Sequence, residues 1–155
     1  MDDIIFWIVF GILGIAVLAL FVMIIVSIVL QIKLNKEGKV LITNWEEVKK
    51  LKETNSDDFI NKCFTILTYL DPYWTRFAVT ESKHGKGWMV VGEQSSGNLR
   101  FWPSFWPSGE KHKPEKYLTK KEDAEKLLLN VMEDLCDYEI NHMKEQEKLN
   151  REKED

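Results

Sequence analysis

The chain has 155 residues, a formal net charge of −4 and 45% hydrophobic residues. That length leaves no room for two folded domains beside an apolar segment of the kind it carries. Charges in the soluble part nearly cancel, and the acidic C-terminal segment argues against bulk nucleic-acid binding there; two cysteines exclude a disulfide-built scaffold.

From Ile4 to Leu30 no side chain is charged, a run of 27 residues. A helix rises about 1.5 Å per residue, so roughly 20 apolar residues cross a hydrocarbon core about 30 Å thick. Only a helix satisfies its own backbone there. A cleaved signal peptide needs a basic start and an apolar core of roughly 7–15 residues. Here the start is Met1-Asp2-Asp3 and the run is about twice too long. Residues 1–32 therefore read as an uncleaved transmembrane anchor. Gly11 and Gly14 stand three apart, which misses the four-residue spacing of small-residue dimer motifs. No ionisable group interrupts the run, which argues against a pump or a proton relay.

Lysines Lys33, Lys36 and Lys39, then Lys49, Lys50 and Lys52, follow the span, and none precedes it. Positive charge stays inside, so the expected topology is N-terminus outside and C-terminal domain in the cytoplasm, at the cell membrane. Residues 33–42 read as a juxtamembrane linker broken at Gly38.

Thr43 and Asn44 offer helix caps, with Glu46 or Glu47 three residues on. Trp45, Val48 and Leu51 then share a face, giving a short helix. Ser56 is read as the cap of a second helix, with Asp57 and Asp58 in its first turn. Phe59, Ile60, Cys63, Phe64, Leu67 and Leu70 repeat at helical spacing, and Pro72 stops the run.

Three β segments follow. They are Trp74–Thr80 with Phe77 and Val79 on one face, Gly87–Glu93, and Leu99–Trp102 ended by Pro103. Short turns join them, so the meander is antiparallel. Thr119 with Glu122 makes a second capping box ahead of a long helix. Its apolar stripe is Ala124, Leu127, Leu128, Val131, Met132 and Leu135. From Lys144 the chain is nearly all charged and reads as a helical tail over residues 144–155.

The fold class is thus α+β: an N-terminal transmembrane helix and a soluble domain at 43–143. That domain has two short helices, a three-stranded antiparallel sheet and a long C-terminal helix. Cys63 and Cys136 fall on apolar helix stripes, which predicts buried free thiols. An extracytoplasmic domain would instead allow one disulfide.

The tandem Phe101-Trp102-Pro103-Ser104, Phe105-Trp106-Pro107-Ser108 packs four rings and two prolines into eight residues. Three uses fit it: rings covering the core, a protein-binding surface, or insertion at the membrane interface. Arg100, Trp102, Phe105 and Trp106 are the expected partner-binding residues.

A second set, Arg76, Lys83, Lys86 and Arg100, mixes cations with sheet aromatics and suits nucleic acid or lipid headgroups. The meander followed by Thr119-Lys120-Lys121-Glu122-Asp123-Ala124 resembles the arm-type DNA-binding domains of phage integrases, which implies DNA binding through the sheet. Against it, residues 71–118 carry seven Lys/Arg and five acids, a small excess.

Glu139-Ile140-Asn141-His142 places an acid and a histidine on one helix face. Carboxylate-bridged metal sites need that motif twice, with two further Glu. The chain lacks GxSxG, P-loop, HExxH and GxGxxG patterns. The expectation is a non-catalytic interaction module without cofactor or metal, held by the lipid bilayer and binding another protein. The composition suits a bacterial or phage chain.

Overall fold

The computed structural model describes residues 2–82, 85–101 and 117–154. In chain order the elements are α1 (Asp2–Thr43), α2 (Trp45–Thr54), α3 (Ser56–Leu70), β1 (Trp74–Glu81), β2 (Trp88–Gln94), β3 (Leu99–Phe101) and α4 (Lys121–Glu154). The architecture is α+β, as the periodicity predicts. Two compact units divide the chain, residues 1–37 and 38–155.

The first unit is α1 up to Glu37. Every large apolar side chain from Ile12 to Ile32 is at least 50% exposed. A helix apolar all round and left uncovered by protein is what a lipid environment demands. Among the described residues, α1 is the one helix long and apolar enough to cross a membrane. The hydroxyl of Ser27 donates to the Met23 carbonyl at 2.8 Å, so its polar group is satisfied within the helix.

No break falls at Gly38, which corrects the expected interruption in the segment 33–42. The helix runs unbroken to Thr43. Gly38 is buried against α3, where a Cβ would lie 2.6 Å from Tyr69 Cβ. The glycine serves close packing, and the saving in contact distance offsets its poor helix propensity. Leu41, 9% exposed, then enters the core.

Inside the second unit, α2 buries Trp45 and Val48 and turns into α3 at Asn55. The Trp45 ring stacks on Phe59 at 6.3 Å. Capping differs in detail from the sequence reading. Asn44 precedes α2 without a side-chain cap, and the Thr43 hydroxyl instead donates back to Lys39 O. At α3 the cap is Asn55, whose side chain accepts from the Asp58 N–H at 3.2 Å, and Ser56 is the first helical residue. Asn and Ser are equally good caps, so composition alone leaves a one-residue ambiguity.

Across α3 lies α4, and their shared stripe is the centre of the core: Phe59, Cys63, Ile66 and Leu67 against Val131, Met132, Leu135, Cys136 and Ile140. Both cysteines are free and fully buried. Polar contacts fasten α2 to the same helix. The Trp45 indole N–H donates to Asp137 at 2.6 Å, Lys49 reaches that carboxylate at 3.0 Å, and Lys52 pairs with Glu133. Partial burial pulls the Lys49 pKa down, but Asp137 and Glu46 outweigh it and hold the ammonium above its ordinary value. Beyond Met143, α4 continues as a helix with residues 144–153 exposed.

The sheet order is β1-β2-β3, antiparallel throughout. Phe77, Val79 and Val90 face the helices. Gly97, at φ +78°, allows the tight turn from β2 to β3. The pairing with β1 shifts between Trp74 and Arg76, a bulge at Thr75. Past the end of β3, Leu118 forms an antiparallel bridge to Trp88 on the same edge of β2.

Candidate functional site

The register decides which side chains share a face. Arg76, Glu93 and Leu99 form one rung across the sheet, and Phe77, Gly92 and Arg100 form the next. Successive rungs project to opposite faces. Arg100 therefore stands on the face of Phe77, the one that packs on the helices, at its exposed β3 margin, and Arg76 stands on the other face.

Gly92 makes the Arg100 face distinctive. A Cβ there would meet Trp74 Cζ3 at 2.7 Å and Phe77 Cε1 at 3.0 Å. The missing side chain leaves room for both rings over the glycine, with centroids 5.2 Å apart and planes tilted by 38°. The bulge at Thr75 turns Trp74 onto this face beside Phe77. Tyr73, 45% exposed, meets Trp74 edge-on at 6.2 Å. Tyr73 is held from two sides: its N–H donates to Asp71 Oδ1 at 3.1 Å, and its carbonyl accepts from Ser95 at 2.7 Å. Arg100 is exposed on the neighbouring strand, one strand spacing or about 4.8 Å from Gly92. Tyr73 and Arg100 are exposed at the margin of this face, while Trp74 is half-buried against the core; Tyr, Trp and Arg are the residue types that dominate interface hot spots. Tyr73 was not singled out from sequence. Its signal was its place directly after Pro72, at the start of an aromatic strand.

The expected partners of Arg100, namely Trp102, Phe105 and Trp106, lie outside the described residues, as does Lys83. Of the alternative cationic set, Arg76, Lys86 and Arg100 are described, and they do not converge. Arg76 and Arg100 are on opposite faces. Lys86 lies in the β1–β2 turn, beyond Glu81, which is five residues or about 17 Å along the strand from Arg76. Its ammonium sits over the Tyr117 ring at 5.8 Å, and Lys121 sits over Trp88 at 5.8 Å. The domain's own lysines thus occupy two ring faces that a stacked base would need.

Two clefts open beside α3. A cleft of about 370 Å³ is floored by Ile60, Val79, Leu128 and Leu129 and rimmed by Ser56, Asp57, Lys121 and Glu125. Lys121 and Glu125 are paired at 3.1 Å. A smaller one of about 170 Å³ lies where Phe64, Thr75, Arg76 and Phe77 meet.

On α4, His142 stacks on Tyr138 at 6.2 Å, one turn from Glu139. Partial burial, with Asp71 nearby, raises the Glu139 pKa, and His142 opposes the rise. No group of three potential metal ligands occurs among the described residues. Burial raises the Cys136 thiol well above its ordinary pKa, and interaction with the Cys63 side chain adds to the effect.

No protein-family model, no curated protein and no solved structure matches this chain.

Proposed function

We propose that this protein is a single-pass membrane-anchored interaction module, non-catalytic, with its C-terminal domain in the cytoplasm. The observation that carries the anchor is α1, whose apolar side chains are exposed all round from Ile12 to Ile32 while residues 38–155 have a core of their own. The lysines at 33, 36 and 39 support the orientation. The proposed contact residues are Arg100, Trp102, Phe105 and Trp106, to which Tyr73 is added by its exposure. Rigid rings beside a guanidinium make dense, low-entropy contacts with a protein partner.

The competing reading is a tethered nucleic-acid binder using Arg76, Lys83, Lys86 and Arg100. The split of Arg76 and Arg100 between two faces weighs against it.

A photo-crosslinking residue placed in living cells at Arg100 and at Trp106, with Arg76 as the control, tests the proposal. A discrete protein adduct from the first two positions and none from Arg76 supports it. Nucleic acid in the adduct, or no adduct from any position in a folded and membrane-bound chain, overturns it.

A further inference from the structure

Cys63 and Cys136 lie on facing stripes of α3 and α4, and each is 0% exposed. The Cys136 Sγ is 3.6 Å from the Cys63 carbonyl oxygen, a contact across 73 positions of chain. The two side chains also interact, which adds to burial in raising the Cys136 thiol pKa. Ile66, Leu67 and Met132, all fully buried, belong to the same cluster. Two thiols in one core cluster, one of them against the backbone of the other, is a different arrangement from a lone buried cysteine, because either sulfur has a candidate reaction partner beside it.

We propose that Cys63 and Cys136 are a disulfide-competent pair that cross-links α3 to α4 when the domain meets a small-molecule disulfide. In the reaction one cysteine, as thiolate, attacks the small disulfide. Its S–S bond breaks, and one small thiol leaves with a proton. The other cysteine then attacks the mixed disulfide and expels the second small thiol. The two protein thiols lose two electrons and two protons, and one small disulfide is reduced to two thiols.

Burial sets the rate. A thiol raised in pKa and shut off from water exchanges slowly in the closed domain, so the pair reacts during folding or through local separation of α3 from α4. A reducing compartment leaves both thiols free. An oxidising one closes the link as the chain folds and then shields it. The inference rests on the packing of α3 against α4 and not on the direction of the anchor.

The full chain in detergent, reduced and then equilibrated with oxidised glutathione in urea below the unfolding transition, tests the pair. The expected product loses two hydrogen masses, contains a Cys63–Cys136 linked peptide, and has no free thiol after denaturation. Its rate of formation rises with urea. C63S and C136S each stop at one glutathione adduct, and circular dichroism on both checks that they are folded. Two free thiols remaining, two glutathione adducts on one wild-type chain, or disulfide-linked dimers overturn the proposal.

Discussion

Trp45 on α2 and Asp137 on α4 are joined by an indole hydrogen bond of 2.6 Å, and Lys49 reaches the same carboxylate at 3.0 Å. One carboxylate thus fixes both an aromatic anchor and a cation from a helix of only ten residues, too short to hold its shape alone.

Removing the acceptor should therefore cost more than removing one donor. Asp137→Ala leaves a part-buried indole N–H and an ammonium without their partner, and is expected to destabilise by about 1–3 kcal/mol. Lys49→Ala removes a part-exposed ion pair and is expected to cost under about 1 kcal/mol. Urea unfolding of the two variants measures the order. Equal losses would mean that Asp137 acts only through Lys49.

Two glycines are expected to resist alanine for the same steric reason. At Gly38, alanine gains about 1 kcal/mol of helix propensity. The new Cβ would lie 2.6 Å from Tyr69 Cβ and 2.7 Å from Cγ, and those atoms sit close to the backbone and cannot swing away. Overpacking of this kind costs about 1–3 kcal/mol, so the net effect is destabilising. At Gly92 the clash is with the Trp74 and Phe77 rings. Gly92→Ala should lower Tm and perturb the tryptophan fluorescence. Pairing it with Phe77→Leu should recover part of the loss.

The Glu139 carboxyl has a pKa raised above its ordinary 4.5, first by burial and then by Asp71, with His142 opposing. A raised acid binds its proton more tightly in the folded domain. Below about pH 4.5 both states are protonated and the group is neutral in effect. As pH climbs through the raised value the folded state must ionise a disfavoured carboxylate, and stability falls. Glu139→Gln is then expected to have a higher Tm than wild type at pH 7, with the gap closing toward pH 4. A gap independent of pH would tie the effect to packing instead.

Orientation depends on few charges. Replacing Lys33, Lys36 and Lys39 by Gln removes the positive charge nearest the span. A mixed or reversed topology is expected from a C-terminal reporter active on one side of the membrane. An unchanged single orientation would shift the burden to Lys49, Lys50 and Lys52, or to folding of the domain itself.

Periodicity made the elements legible. The charge-free run gave α1, the 3.6-residue stripes gave α3 and α4, and the bulky β-rich stretches gave a meander within a residue or two of its observed bounds. Pro72 ends α3 as expected, with Asp71 as its C-cap. What could not be read was the reason for each glycine. Gly38 has the look of a helix breaker, and its role depends on Tyr69, a residue distant in sequence. The candidate surface was less legible still. Whether Arg76 and Arg100 share a face depends on the β1–β2–β3 register and on a one-residue bulge at Thr75. Neither leaves a mark in composition, and a slip of one residue reverses every assignment. The ring floor over Gly92 was hidden for the same reason.

The bridge between Leu118 and Trp88 has a consequence for how the domain presents the stretch before it. The chain leaves the β2 edge opposite Val91, at Phe101, and rejoins it opposite Trp88, at Leu118. Those two points are three rungs or about 10 Å apart. Both ends of the intervening stretch are thus pinned by backbone hydrogen bonds to one strand. Whatever it binds, the segment carrying the FWPS tandem is presented from two fixed points on the edge of β2.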